Sequence, residues 1–221
     1  MAQLLFTARQ GGTSVGSFES FNLGDHVGDT AEAVAENRKI LQKLLSQSQP
    51  IFMNQVHGNE VAEVYGSTVS PVTADALVTR ETGLPLAVLS ADCLPILIKG
   101  RDVAAVIHAG RKGILNGVIS KTISKIRSLS NAELVATIGP AICSECYEVD
   151  VQMYLDAIAI EPNLATTLET HCLDLKKAAT VQLQRGSAIV NVLEICTAHD
   201  PNFFSYRRDG ISGRNAGVIV L

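Results

Sequence analysis

Apolar residues fall into short runs through the first half of the chain, at 50–53, 61–65, 76–79, 86–89, 95–98 and 103–107, separated by Gly, Pro, Asn, Asp or charged residues. Runs that short and that rich in Val, Ile and Leu predict strands, several of them covered on both faces. Residues 3–7 predict a strand before them, and 134–138, 189–192 and 218–221 predict three after them. A helical period appears where Val34, Leu41, Leu44 and Leu45 share one stripe behind Asp29 and Glu32, which resemble a capping pair. Ile119, Thr122, Ile123 and Ile126 mark a second helix, and 149–160 and 173–183 two more. The strands follow one another too closely for repeated strand–helix–strand units. The expected fold is therefore α/β with α+β mixing: a single layered domain over 1–221, mixed central β-sheets flanked by helices, and no repeat or linker.

One pair of runs carries chemistry. Residues 95–98 and 103–107 flank Lys99-Gly100-Arg101-Asp102, and Gly100-Arg101 fits a two-residue hairpin loop with Gly at its first central position. Pairing Lys99 with Asp102 and Ile98 with Val103 then sets Cys93 opposite His108. Opposed β-carbons lie about 4.5–5.5 Å apart. Bonds of about 2.3 Å to sulfur and about 2.0 Å to nitrogen close over one Zn²⁺ at that separation. Pro95 cannot donate to the ladder and is expected to bend the strand there. His57, in Asn54-Gln55-Val56-His57-Gly58, supplies a third ligand type. Three protein ligands leave a fourth position open, which is the catalytic pattern. The same residues also suit a Cys93 nucleophile with His108 as its base. Taken singly they read as a surface histidine, a core cysteine and a capping histidine. Asp92 either moves a proton or only orients its neighbour.

Composition narrows the class. The chain has 221 residues, 47% hydrophobic, no tryptophan and a formal net charge of −4, which argues against disorder and against a dedicated nucleic-acid binder. The most apolar segment, 84–98, is broken by Asp92 and two prolines, so no membrane span is expected. Five cysteines and no signal-like start favour a reducing cytoplasm, with cysteines as ligands or core residues. Cys143-Ser144-Glu145-Cys146 could be a redox pair or half a zinc site, but there is no second C-x-x-C, and it is assigned a structural role. Cys172 and Cys196 are expected in the core, and His171 and His199 on the surface. His26 lies in an expected turn and is a weak candidate ligand. Arg9-Gln10-Gly11-Gly12-Thr13-Ser14 is an ordinary turn or an anion loop, with the turn favoured. Arg111-Lys112 sits near a helix start beside His108, where a phosphate is favoured. Residues 203–210 either clamp a ring-bearing anion or form a solvated turn.

Together these segments resemble the YfiH family, labelled polyphenol oxidase or laccase-like and later purine nucleoside phosphorylase. The likeness runs through Arg9–Ser14, Asn37-Arg38, Gln55-Val56-His57-Gly58, Ala74-Asp75-Ala76, Ala91-Asp92-Cys93-Leu94-Pro95, His108-Ala109-Gly110, Gly139-Pro140-Ala141-Ile142, Cys146-Tyr147-Glu148-Val149, Ser205-Tyr206-Arg207-Arg208-Asp209 and Gly213-Arg214. It implies zinc held by His57, Cys93 and His108, with copper as the alternative. It also implies phosphorolysis of adenosine, inosine and guanosine, cleavage of methylthioadenosine, and adenosine deamination. Partners would be purine nucleosides and phosphate, with no nucleic acid or membrane, for a monomer or weak homo-oligomer. Arg9, Ser14, Lys112 and Arg208 are expected to hold phosphate, Gln55 to serve the substrate, and Asp92 or His57 to handle the proton. Three rivals are a copper-dependent phenol oxidase, a cysteine hydrolase or amidase acting on peptidoglycan precursors, and a non-catalytic zinc-stabilised binding protein. One departure stands out. The family usually reads His-Ala-Gly-Trp-Arg-Gly, whereas this chain has Arg111-Lys112 after Gly110. An apolar wall has become a cation, and a bidentate fork has become a point charge.

Overall fold

The computed structural model describes residues 3–45 and 48–221. In chain order the strands are β1 (Gln3–Phe6), β2 (Met53–Asn54), β3 (Val61–Glu63), β4 (Val72–Thr73), β5 (Ala76–Thr79), β6 (Pro85–Ser90), β7 (Leu94–Lys99), β8 (Ala104–Ala109), β9 (Leu134–Ile138), β10 (Ala188–Val192) and β11 (Asn215–Val220). The helices are α1 (Ala31–Leu45), α2 (Arg111–Leu115), α3 (Val118–Leu129), α4 (Val151–Ile160), α5 (Leu175–Arg185) and α6 (Tyr206–Asp209). A six-stranded mixed sheet runs β10-β9-β7-β8-β5-β3, a three-stranded antiparallel sheet runs β1-β11-β6, and β2 pairs with β4.

The period-2 rule explains the layering. On β6, Leu86 and Val88 face one core while Ala87 and Leu89 face another; on β7, Ile96 and Ile98 face away from Leu97. Leu97, Val106, Leu86, Val88 and Ile219 fill the space between the two large sheets. The other face of the six-stranded sheet packs under α3 and α5 through Ile119, Ile123, Ile126, Ala178 and Leu183. The outer face of the small sheet packs on Leu41 and Leu45 of α1. The order of layers is helix, sheet, sheet, helix. Strands covered on both sides have no need of polar alternation, hence the continuous apolar runs. Each fully buried Leu or Ile there contributes about 1.5–3 kcal/mol.

Several expectations shift. The N-terminal cap of α1 comes from Thr30, whose hydroxyl accepts from the Ala33 amide at 3.3 Å. Asp29 is turned to Ser14 and Asn22 instead. Leu44 is 60% exposed, and buried Asn37 takes the inner face. The helices expected at 149–160 and 173–183 start two residues later, because Asp150 and Asp174 cap them by accepting amide hydrogen bonds. The expected strand at 50–53 shrinks to a bridge at Ile51 and the two residues of β2.

The hairpin register also moves. Lys99 pairs with Ala104, Pro95 with His108 and Leu94 with Ala109. Gly100 donates to the Val103 carbonyl at 2.8 Å, so the loop is Arg101-Asp102 and not Gly100-Arg101. A loop moved by one residue changes the pairing by two, and a two-residue slip preserves which face each side chain takes. Extending the ladder, Cys93 lies opposite Gly110 and diagonal to His108, still on the same face.

Candidate metal centre and its cavity

Three segments end at one point. Cys93 precedes β7, His108 is the penultimate residue of β8, and His57 follows β2 in the loop to β3. Their Sγ and ring nitrogens all lie within 4.8 Å of one another. Cys93 Sγ is 3.9 Å from His57 Nε2, and the two imidazoles meet edge-on with centroids 4.7 Å apart. Tetrahedral zinc with such bonds sets neighbouring ligand atoms roughly 3.3–3.8 Å apart, so the donor set fits one ion. Gly110 makes room for it: a Cβ there would come within 2.8 Å of the Cys93 sulfur and 3.4 Å of His57 Cδ2.

The residue that organises the centre is Asp75. Its buried carboxylate accepts from the amides of His57 at 3.0 Å, Gly58 at 2.7 Å and Val56 at 3.3 Å, and contacts His108 Nδ1 at 2.9 Å. That contact points Nε2 of His108 toward the other ligands, which is the carboxylate–histidine support typical of metal sites. The amide bonds hold His57 at φ 58°, a left-handed conformation rare for a non-glycine residue. Burial pushes the Asp75 carboxyl up, but His108 and the amides outweigh it and the net shift is downward. Burial likewise opposes the charged forms of Cys93 and His108. Their mutual attraction, helped by His57 on one side and Asp75 on the other, brings the thiol down to about 6 and the imidazole up to about 9. Both shifts favour the thiolate–imidazolium form of the pair in the metal-free protein. Asp75 stood in the sequence only as part of a resembling motif; its distance from His108 along the chain gave no local signal.

A cavity of about 600 Å³ opens over this centre, lined by Gln55, His57, Cys93, His108, Tyr147, Tyr206, Arg207 and Arg214 among others. Exposed His26 lies at its edge. Tyr206 and Arg207 come from 203–210, so that segment does reach the site, while Phe204 turns inward to the core. Arg207 lies 5.3 Å over the Tyr147 ring and donates to the carbonyls of Cys146 and Glu148. Arg214 gives Nη1 to the carbonyls of Ser212 and Gly213, which leaves Nε and Nη2 without protein partners among the described residues.

The expected phosphate ligands are not brought together here. Arg9 donates to the Glu19 carbonyl and pairs with Asp209. Ser14 is buried between Asp29 and Asn37. Arg208 is spent on the carbonyls of Thr197, Asp200 and Phe203 and on Asp209. Lys112 is exposed on α2 and outside the cavity lining, whereas its neighbour Arg111 bears on the Tyr147 hydroxyl. Gln55 lines the cavity, but both ends of its amide bond the Leu89 backbone at 2.8 Å. Asp92, at φ 96°, accepts from the Thr197 hydroxyl and the Arg207 amide, each at 2.7 Å. Both of its oxygens are thus engaged in tying the 197–207 segment to the turn that carries Cys93 just before β7.

Comparison with known proteins agrees with this architecture. Residues 3–221 match the family described as multi-copper polyphenol oxidoreductase laccase. A Corynebacterium glutamicum protein named purine nucleoside phosphorylase is 42% identical over 231 residues, covering 98% of this chain and 93% of that one. A Streptomyces coelicolor protein of the same name is 41% identical, covering 98% and 94%. Among solved structures, a Neisseria meningitidis protein superposes with a TM-score of 0.90 at 35% identity, covering 100% and 94%. The Bacillus licheniformis protein YfiH gives 0.89 at 30% identity, covering 100% and 92%. The chain belongs to the YfiH family, the group described by that laccase-like family model.

Proposed function

We propose that this protein is a zinc-dependent purine nucleoside phosphorylase that also deaminates adenosine at the same site. The observation that carries the reading is a nucleoside-sized cavity whose floor is the His57–Cys93–His108 centre and whose walls hold two aromatic rings and two guanidinium groups. The relatives named purine nucleoside phosphorylase support it.

His57, Cys93 and His108 would hold the ion, which when bound supplies Lewis-acid polarisation at the cavity floor. Tyr147 and Tyr206 flank the purine. Burial and the nearby Cys93 push the Tyr147 phenol upward, so it stays protonated and donates a hydrogen bond to the departing base. Arg214 and Arg207 hold phosphate, one of whose oxygens bonds to the ribose C1′ as the C1′–N9 bond breaks and its electrons leave with the base. Deamination is the addition of water to C6 with loss of ammonia. Adenosine, inosine, guanosine and methylthioadenosine share the purine ring joined through N9 to C1′ of a ribose-type sugar, and differ in ring substituents and, for methylthioadenosine, at C5′. Asp92 acts by position, fixing Arg207 relative to Cys93.

The low thiol value of Cys93 favours one second reading, a cysteine hydrolase with His108 as base. The two separate cleanly. Zinc-loaded protein in phosphate buffer is expected to release base and ribose 1-phosphate from adenosine or inosine, and chelation should abolish this. Chelator-resistant turnover that iodoacetamide eliminates would establish the hydrolase instead.

A further inference from the structure

We propose that the chain carries a second metal site, a closed Cys₃His zinc site made by Cys143, Cys146, Cys196 and His199, whose task is to brace the wall of the cavity. The inference is independent of the nucleoside reading and of the His57–Cys93–His108 centre.

Two turns of equal spacing face each other here. Cys143-Ser144-Glu145-Cys146 reverses direction just after β9, with the amides of Cys146 and Tyr147 both donating to the Cys143 carbonyl at 3.2 Å. Cys196-Thr197-Ala198-His199 does the same before α6, closed by the Asp200 amide on the Cys196 carbonyl at 2.9 Å. A bridge between Ala141 and Cys196 sets the turns side by side, through bonds from Ala141 to the Ile195 carbonyl and from Thr197 to the Ala141 carbonyl. The four ligand atoms lie within 4.8 Å of one another, and Cys146 Sγ is 3.0 Å from His199 Nε2. The Cys196 sulfur accepts from the Cys143 amide at 3.3 Å, and the amides of Ala198 and His199 also bear on it. Cys172, the remaining cysteine outside the first centre, directs its thiol to the Glu145 carbonyl and is not in the set.

Donor chemistry selects the ion. Three soft thiolates and an imidazole in a four-coordinate cluster suit Zn²⁺, and four protein ligands leave no position for substrate. Binding displaces the thiol protons to solvent, with no change of oxidation state. The placement gives the site its role. Ile142, beside Cys143, donates its amide to the Asp92 carbonyl at 3.0 Å, and Thr197, beside Cys196, donates to the Asp92 carboxylate. Tyr147, beside Cys146, lines the cavity. One ion across the two turns therefore fixes two of the three contacts that position Asp92, the residue next to Cys93.

The test is metal content of protein purified without chelator under reducing conditions. Cys93→Ala, which removes the first centre, is expected to keep about one zinc per chain, and Cys93→Ala/Cys143→Ser about none. Replacing zinc with Co²⁺ in Cys93→Ala should give intense thiolate-to-cobalt charge-transfer absorption. A Cys93→Ala/Cys172→Ser control should retain it. A folded Cys93→Ala protein without metal, with its four remaining thiols reduced, would overturn the site. So would a Cys143–Cys146 disulfide in that protein when it is isolated without metal. Both of these outcomes are measured on Cys93→Ala alone, so a double variant that fails to fold leaves the test intact.

Discussion

Two clusters of sulfur and imidazole lie close together in this molecule, and they differ in what stands behind and in front of them. The His57–Cys93–His108 centre takes Cys93 and His108 from the two sides of the β7–β8 hairpin and His57 from a distant loop, and is backed by the buried Asp75 carboxylate. A cavity of about 600 Å³ opens in front of it. The Cys143–Cys146–Cys196–His199 cluster takes its ligands in pairs from two tight turns. Backbone amides stand behind it in place of a carboxylate, and its four ligands lie outside the lining of that cavity. Each turn presents two ligands locally, and the fold has only to set one turn against the other through the Ala141–Cys196 bridge. A loop histidine set against the hairpin that carries Cys93 and His108 needs the fold to aim it, and three ligands leave a face open for chemistry.

The comparison predicts unequal consequences of damage. Cys93→Ala should cause the largest loss, removing a ligand and lowering base release from inosine by more than the roughly 100-fold typical of supporting residues. Turnover within a factor of about two of wild type would end the metal reading of the cavity floor. Asp75→Asn should be next, at about 10–100-fold in zinc affinity or kcat/KM, because it loosens both histidines at once. Its signature is recovery of rate at high zinc concentration, which Cys93→Ala should not show. Arg214→Met should raise KM for phosphate by about 10–100-fold, the value of a charge-assisted hydrogen bond of about 1.5–3 kcal/mol. An unchanged KM would move phosphate elsewhere in the cavity.

A smaller effect belongs to the metal-free protein. The Cys93 thiol ionises at about 6 when folded against 9.0 ordinarily, so its contribution builds as pH rises above 6. His108 titrates at about 9 against 6.5, so its contribution is complete below 6.5 and is lost as pH rises through 9. The ion pair thus supports the fold between about 6 and about 9. The Tm difference between metal-free wild type and Cys93→Ala should be widest in that window. A difference that does not vary with pH would mean that the pair is not ionised.

Much of this was legible in the chain. Both-faces-covered strands announce themselves as unbroken apolar runs, and the hairpin face of Cys93 and His108 survived a two-residue slip because side-chain direction repeats every two residues. Asp75 did not announce its role, since a carboxylate that reaches His108 and the 56–58 amides is defined by folding and not by spacing. Cys196 and His199, expected in the core and on the surface, share a cluster only because a bridge at Ala141 sets their turn against Cys143. The cationic residues were the least legible. An arginine's reach lets both Arg207 and Arg208 bond backbone carbonyls while only Arg207 also lines the cavity.

The smallest predicted effect concerns the departure from the family pattern at Arg111-Lys112. Lys112 is exposed and outside the cavity lining, so Lys112→Met should change kcat/KM by no more than about 0.5 kcal/mol, or about twofold. Arg111 bears on the Tyr147 hydroxyl, so Arg111→Met should free that phenol and alter nucleoside KM more than phosphate KM. The opposite split, a phosphate KM raised about tenfold by Lys112→Met alone, would mean that α2 moves onto the bound anion. The lysine would then do as a point charge what the family's arginine does as a fork.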